Sequence, residues 1–196
     1  MELFFDVETS GFINKKLGVN DAEQAWVVQL AAILSTKDEI IKELNIIVQP
    51  LNDKMNPYAE KVHGISVKKA KEIGHPEAEV IACFADLQID EPIRICHNYD
   101  FDSQFIDHMF KRNMDVLTDE QRSKFFIQLP AFCTMKSKEI ITYCNLKNKY
   151  GKPKWPKLAE LYFKLFKKDF AHAHDALADV KALRECYYEL QLQGII

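Results

Sequence analysis

Residues 4–12 read FFDVETSGF, a short apolar run that ends in two acidic side chains and a turn. We predict a buried strand over residues 2–8 that stops where this turn begins. Because side chains alternate between the two faces of a strand, Asp6 and Glu8 point to the same side. Two carboxylates this close repel each other unless a cation lies between them, although acids at this spacing also occur on solvated edge strands.

Outside this stretch, the chain alternates between strand-like and helix-like patterns. Two runs rich in β-branched residues, 26–35 and 40–49, predict an antiparallel hairpin beside the first strand. Shorter strands are predicted at 92–96 and 131–134. Helices are predicted at 57–64, 67–73, 76–88, 101–113, 136–145, 157–166 and 175–192, whereas 116–130 shows no clear pattern and 148–156 is typical of a loop. This order predicts an α/β fold on a mixed sheet, in a single domain over residues 1–196.

Composition excludes several classes of protein. The 196 residues are 47% hydrophobic and 28% charged, which excludes a disordered chain, and the net charge of −3 excludes a globally basic nucleic-acid binder. The five cysteines form no metal-binding or disulfide-type spacing, which favours a reducing compartment. No apolar run approaches the length of a membrane helix, and the first residues do not form a signal peptide. We therefore expect a cytoplasmic protein with no membrane association.

A second acidic cluster, HNYDFD at residues 97–102, follows the strand predicted at 92–96. We expect Asp100 to cap the next helix and Asp102 to lie in its first turn. An acid in that turn can project over the ends of the strands, where the sites of α/β proteins gather.

A third cluster, HAHDALAD at residues 172–179, begins the last helix. Asp175 is expected to be its N-cap, with Asp179 about one turn inside among small alanine neighbours. His174 precedes the cap and therefore belongs to a loop that can reach the same region.

Taken together, these clusters predict a site of four carboxylates, from Asp6, Glu8, Asp102 and Asp179, with His174 nearby. Oxygen ligands without thiolates suit Mg²⁺ or Mn²⁺ and not zinc. Two such ions would activate a water molecule and hold a phosphodiester in line for attack. His174 is then placed to accept the proton of that water.

The three segments FFDVETSGF, HNYDFDSQFI and HAHDALADVKAL resemble, in this order, the DEDD 3′–5′ exonucleases of the ribonuclease H-like fold. His174, four intervening residues and Asp179 match the DnaQ-like branch that has a catalytic histidine (DEDDh). The resemblance extends to residues 62–65 and 158–162, so it covers almost the whole chain. It implies a five-stranded mixed sheet flanked by helices.

The resemblance also implies roles for the site residues. Asp6, Glu8 and Asp179 would bind the first of two Mg²⁺ or Mn²⁺ ions, Asp6 and Asp102 would support the second, and His174 would be the general base.

The 3′-terminal nucleotide has its own set of implied contacts, which are the backbone of Thr9 and Gly11 and the side chains of His63, Phe101 and His97. The implied reaction is hydrolysis from the 3′ end of single-stranded nucleic acid, with DNA favoured over RNA, which releases nucleoside 5′-monophosphates. Two alternatives stay open, an RNA-trimming exoribonuclease of the same superfamily and a catalytically silent nucleic-acid-binding accessory domain.

The chain departs from the family pattern in two respects. Cys133-Thr134 stands where many relatives have Asp-Thr, although that aspartate is not a metal ligand. The chain ends soon after the third motif, so we expect no appended polymerase-binding tail, and neither a polymerase partner nor a homodimer is supported by the sequence.

Two further features have open interpretations. Residues 147–168 hold eight lysines and one glutamate, with Tyr150 and Trp155 among them. This stretch is equally consistent with a phosphate-tracking surface and with a solvated loop and helix face. Phe12 follows the first motif, where we expect it to pack in the core more readily than to wedge against a terminal base.

Overall fold

The computed structural model describes residues 1–88, 90–126 and 129–196, which form five strands and eight helices. Among these residues, no helix combines the length and the apolar character needed to cross a bilayer. The strands are β1 (Glu2–Thr9), β2 (Val27–Ser35), β3 (Ile40–Ile47), β4 (Ile93–Cys96) and β5 (Ala131–Cys133). The helices are α1 (Pro57–His63), α2 (Val67–Ile73), α3 (Glu77–Asp86), α4 (Tyr99–Arg112), α5 (Asp119–Phe126), α6 (Lys138–Cys144), α7 (Leu158–Phe166) and α8 (Ala176–Leu192).

The strands form one sheet in the order β3-β2-β1-β4-β5. β1 and β2 are antiparallel, as are β2 and β3, whereas β4 is parallel to both β1 and β5. This arrangement confirms the predicted α/β fold with a five-stranded mixed sheet flanked by helices. Since β1 and β4 are parallel, their carboxyl ends lie at the same edge of the sheet, and the segments that follow them meet there.

Alternation along β1 decides which helix packs on which face. Phe4 belongs to a buried cluster with Val180 and Leu183 of α8. Phe5 belongs to the opposite cluster, with Phe84 of α3 and Phe105 of α4. Each buried phenylalanine contributes about 2 kcal/mol through the apolar surface it removes from water. The even-numbered side chains of β1 therefore face α8, which is the side from which Asp6 and Glu8 project.

The start of α4 corrects one prediction. The helix begins at Tyr99 with Asn98 as its N-cap, so the expectation that Asp100 caps it is wrong. Tyr99 packs on the ring of Phe5 in the core, so the helix begins two residues before the apolar pattern indicates. Asp100 instead lies in the first turn and forms an ion pair with Lys136.

The stretch 116–130, which has no clear sequence pattern, contains α5. Its sequence DEQRSKFF places acidic and basic side chains around most of the helix, so it lacks the apolar periodicity from which a helix is predicted. Residues 127 and 128 of this stretch lie outside the described part of the chain.

Gly74 ends α2 where the backbone of the segment after β3 passes closely. A Cβ atom at this position would lie 2.3 Å from the Ala70 carbonyl oxygen and 2.8 Å from the Gln49 nitrogen. Because backbone atoms cannot rotate away, Gly74→Ala is expected to lower the free energy of unfolding by about 1–3 kcal/mol. Chemical denaturation checks this against Gly18→Ala, whose added Cβ meets nothing within 4 Å. Equal stability of the two variants would contradict the expectation.

Candidate active site

Asp6 and Glu8 lie at the carboxyl end of β1, where the pairing with β2 shifts register between Glu8 and Thr9. Burial raises the pKa of Asp6 to about 8, with further contributions from Asp179 and Asp175. Burial likewise raises the pKa of Glu8 to about 9, and Asp6, Asp179 and Asp175 add to the effect. The two acids of the first motif are therefore surrounded by other carboxylates.

Asp179 and His174 complete this cluster from the start of α8. One ligand atom each of Glu8, His174 and Asp179 lies within 4.8 Å of the other two. The His174 backbone nitrogen donates to Asp179 Oδ2 at 3.3 Å, whereas Asp179 Oδ1 is buried and has no partner among the described residues. Burial raises the pKa of Asp179 to about 6. A strand end and a helix start thus converge on one small volume.

Asp102 reaches the cluster from the other side, in the first turn of α4. It is only 2% exposed, and its Oδ1 accepts a hydrogen bond at 3.3 Å from the backbone nitrogen of Val7, the residue between Asp6 and Glu8. Burial raises the pKa of Asp102, with Asp6 the largest charged contributor and Glu8 a smaller one. The structure therefore brings all four acids predicted from the sequence to the same edge of the sheet.

A fifth carboxylate, that of Asp175, belongs to this region as well. The expected N-cap is confirmed, since the side chain accepts from the Ala178 nitrogen at 3.1 Å. It also accepts from Gln29 Nε2 at 3.2 Å, and Gln29 lies opposite Glu8 in the register of β1 and β2. The bond from Gln29 was not predicted, because the register that places Gln29 beside Glu8 is set by the hairpin and not by a local motif.

The residues expected to hold the nucleotide begin at the turn after β1. Thr9 is buried, and its hydroxyl donates to the Gly11 carbonyl at 2.8 Å, which fixes the turn. His63 Nδ1 accepts a hydrogen bond from the Ile65 nitrogen at 3.1 Å. Burial lowers the pKa of His63, and the nearby backbone of Thr9 partly offsets this effect. Its Nε2 is buried and has no hydrogen-bond partner among the described residues. Thr9, Gly11 and His63 are thus close together.

Phe12 is 80% exposed, so the expectation that it packs in the core is wrong. The chain has left the sheet at this point, and the turn carries the ring out over the surface. Its edge meets the ring of Phe101, with centroids 6.0 Å apart, and Phe101 in turn contacts Phe105. The exposed ring of Phe12 therefore packs against Phe101 in α4, next in sequence to Asp102.

His97 differs from the other expected nucleotide contacts, because both of its ring nitrogens already have protein partners. Nε2 lies 2.9 Å from the Pro156 carbonyl oxygen and Nδ1 lies 2.9 Å from Thr134 Oγ1. Burial lowers the pKa of His97 to about 4, so the ring is neutral at physiological pH. A carbonyl can only accept, so Nε2 carries the proton and Nδ1 accepts from Thr134. His97 therefore holds the loop at Pro156 in place, and both of its ring nitrogens are engaged within the protein.

The donor set fits divalent cations. Burial and the like charge of neighbouring carboxylates raise the pKa of Asp6 and of Asp102. The Oδ1 atom of Asp179 is buried without a partner among the described residues, and a bound cation relieves both situations. The thiol of Cys96 donates to the Phe5 carbonyl, and burial raises its pKa, so it stays protonated. Oxygen donors of this kind are those that Mg²⁺ and Mn²⁺ prefer.

Without metal, the protein is expected to lose stability as the pH rises from 5.5 to 8.5. The pKa values of Asp6 and Glu8 in the folded state, about 8 and 9, lie above their ordinary values of 3.8 and 4.5, so folding retains protons that the unfolded chain has released. A divalent cation stabilises the ionised acids and removes this penalty. The gain in Tm on adding Mn²⁺ should therefore be larger at the upper end of this range, as measured by thermal unfolding against a chelator control.

Glu8→Gln provides the control for this measurement, because it removes one of the two strongly shifted acids and should reduce the dependence of Tm on pH. A gain in Tm that is the same at both pH values would contradict the assignment.

The sequence of the chain matches a known protein family. The model of the family RNase_T, described as Exonuclease, matches residues 3–187. No curated protein matches the sequence closely enough to count as a relative.

Solved structures share the fold. E. coli exonuclease I in complex with a dT13 oligonucleotide superposes with a TM-score of 0.74 at 22% identity, covering 97% of this chain and 40% of that chain. Its complex with dA16 gives 0.75 at 22% identity, with the same coverage of 97% and 40%. A zinc-bound E. coli exonuclease I–single-stranded DNA complex gives 0.72 at 19% identity, covering 98% and 40%.

The chain thus spans about two fifths of the length of these structures. At this level of identity the likeness shows the fold, which is ribonuclease H-like. The family model covers nearly all of the sequence, and the fold agrees with it. The chain therefore belongs to the exonuclease family that the RNase_T model describes.

Proposed function

We propose that this protein is a metal-dependent 3′–5′ exonuclease of the DEDDh type. It would remove nucleoside 5′-monophosphates from the 3′ ends of single-stranded nucleic acid, with DNA favoured over RNA. The observation that carries the proposal is the convergence of Glu8, His174 and Asp179 within 4.8 Å, beside Asp6 and Asp102. The fold shared with exonuclease I, which was solved with dT13 and dA16, supports the choice of single-stranded DNA.

The acids would hold two Mg²⁺ or Mn²⁺ ions. Asp6, Glu8 and Asp179 would bind one ion, and Asp6 and Asp102 would support the other. When bound, such ions neutralise charge on the phosphate and make a water molecule more acidic. The chain supplies the rigidity, because each acid stands on β1 or in the first turns of α4 and α8, whose positions are fixed by core packing.

His174 is proposed as the general base. It is exposed at the rim of the cluster, and its backbone nitrogen is tied to Asp179, so the imidazole stays within reach of the acids. Imidazole is the side chain that ordinarily exchanges protons near neutral pH. A left-handed backbone, with φ of 72° at His174, turns the loop toward the site at some cost in strain.

The 3′-terminal nucleotide would bind at the turn after β1. Thr9 and Gly11 line this turn, and the buried Nε2 of His63 lies beside it. The exposed ring of Phe12, backed by Phe101, offers an apolar face to the terminal base. Hydrogen bonding from one side and stacking from the other would align the terminal phosphodiester with the acids.

A labelled-strand assay tests the proposal and its polarity. With Mg²⁺ or Mn²⁺, a 5′-labelled single strand should give a ladder that shortens from its 3′ end, and a chelator should abolish it. Matched DNA and RNA strands give the relative rates, with DNA expected to be cut faster. An intact label in a retarded gel band, with no ladder under any divalent metal, would instead favour the silent binding domain.

A further inference from the structure

Residues 147–156 lie in the connection between α6 and α7, and we call them the basic loop. Asn148 organises the turn, because its Oδ1 accepts from the Tyr150 nitrogen at 2.9 Å and from the Lys152 nitrogen at 3.1 Å. The Asn148 nitrogen in turn donates to the Lys152 carbonyl at 2.8 Å. The basic loop therefore presents its side chains from a hydrogen-bonded turn, which lowers the entropic cost of binding a partner.

Two connections hold the basic loop against the start of α4. The first is the hydrogen bond from His97 Nε2 to the Pro156 carbonyl, at 2.9 Å. The second runs from Asp100, through its ion pair with Lys136, to the ring of Trp155, whose centroid lies 5.2 Å from the Lys136 ammonium. Because α4 also carries Asp102 in its first turn, the basic loop borders the acidic cluster.

The exposed surface of the basic loop combines cations with aromatic rings. Tyr150 is 74% exposed and Trp155 is 57% exposed, values that core packing does not explain. Among the described residues, no carboxylate pairs with the exposed Lys149 or Lys152. Lys154 is different, since it pairs at 2.5 Å with Glu160 in the first turn of α7. Ammonium groups without a carboxylate partner bind phosphates, and exposed rings stack on unpaired bases.

We propose that the basic loop binds the single strand upstream of its 3′ end, with Trp155 and Tyr150 stacking on bases and Lys149 and Lys152 contacting phosphates. This inference rests on the proposed exonuclease function. With two divalent cations bound, the four acids carry no net charge, so additional affinity for a long strand would come from a neighbouring positive surface. A dinucleotide is long enough to reach only the acids, whereas a longer strand also reaches the basic loop.

Strand length therefore gives the first test. The double variant Lys149→Glu/Lys152→Glu is expected to lower kcat/KM about tenfold on a DNA strand of about 16 nucleotides, and to leave hydrolysis of a dinucleotide within about twofold. The salt dependence of kcat/KM on the long strand should become shallower, by about 0.7 in logarithmic slope for each phosphate that the variant no longer neutralises.

Lys37→Glu/Lys42→Glu is the matched control. It makes the same change of charge at exposed positions near the β2–β3 turn, at the opposite end of the sheet from the acids, and should leave both substrates unaffected. If this control loses as much kcat/KM on the long strand as the loop variant does, the effect is one of general charge and the proposal is overturned. An equal loss on both substrates by the loop variant would do the same.

Tryptophan fluorescence gives a second test that needs no catalysis. The chain has two tryptophans, and Trp26 is fully buried, so quenching by single-stranded DNA in the presence of a chelator reports on Trp155. We expect quenching in the wild type that disappears in Trp155→Phe. If the wild type hydrolyses DNA but shows neither quenching nor sensitivity to the lysine changes, the loop proposal is overturned and the exonuclease proposal stands. If no hydrolysis occurs, the exonuclease proposal fails, while quenching still decides whether the basic loop binds DNA.

Discussion

Asp6→Asn is expected to lower kcat by at least about 10³-fold while raising the Tm of the metal-free protein at pH 8. Asp6 is the acid proposed to bind both cations, so its loss would remove a ligand that no other acid replaces. The same change relieves repulsion with Asp179 and Asp175, which together with burial raises the pKa of Asp6 to about 8. Activity and stability should therefore move in opposite directions.

Two measurements check this expectation, the rate of strand shortening at saturating Mn²⁺ and thermal unfolding with a chelator. Asp107→Asn is the control, because Asp107 lies half-exposed on α4 in an ion pair with Lys111, and its replacement should leave the rate unchanged. A variant at Asp6 that keeps a tenth or more of the wild-type rate would argue against a ligand role for this acid.

His174→Asn is expected to lower kcat by about 10²–10⁴-fold with little effect on KM, since a general base acts in the transition state and not in binding. Asparagine is chosen because it tolerates the left-handed backbone, with φ of 72°, that His174 adopts. Rates of strand shortening over a range of strand concentrations measure kcat and KM for the variant and the wild type.

His172→Asn is the matched control for His174→Asn. His172 is exposed in the same loop, has a φ of 59° and does not belong to the cluster of Glu8, His174 and Asp179. Its replacement should change kcat by less than about twofold, since exposed positions outside a site tolerate change. Similar losses in the two variants would point to the conformation of the loop, and would remove His174 from the chemistry.

The sheet and most helices could be predicted from local patterns. β1 to β3 have apolar runs with clear ends, and α2 follows Ser66, a typical N-cap residue whose hydroxyl accepts from the Lys69 nitrogen at 3.1 Å. α5 could not be predicted, because a helix of mixed charge has no apolar stripe. The start of α4 at Tyr99 could not be predicted either, because it depends on the packing of Tyr99 against Phe5, which is distant in the sequence.

The acids of the site could be predicted because each stands at a recognisable strand end or helix start. The surroundings could not, since they depend on contacts between distant segments. The hydrogen bond from His97 to Pro156 spans 59 positions, and that from Gln29 to Asp175 spans 146. The exposure of Phe12 was mispredicted for a related reason, because an apolar residue beside a buried strand does not reveal which way the next turn carries it.

The proposed activity requires that the acids at the end of β1 jointly bind divalent cations. Crystals grown with Mn²⁺ and a nucleoside 5′-monophosphate test it directly through anomalous scattering. We predict an anomalous peak bonded to carboxylate oxygens of Asp6, Glu8 and Asp179, with the phosphate of the nucleotide beside it. Strong Mn²⁺ peaks elsewhere on the protein, with none among these three acids, would contradict the account.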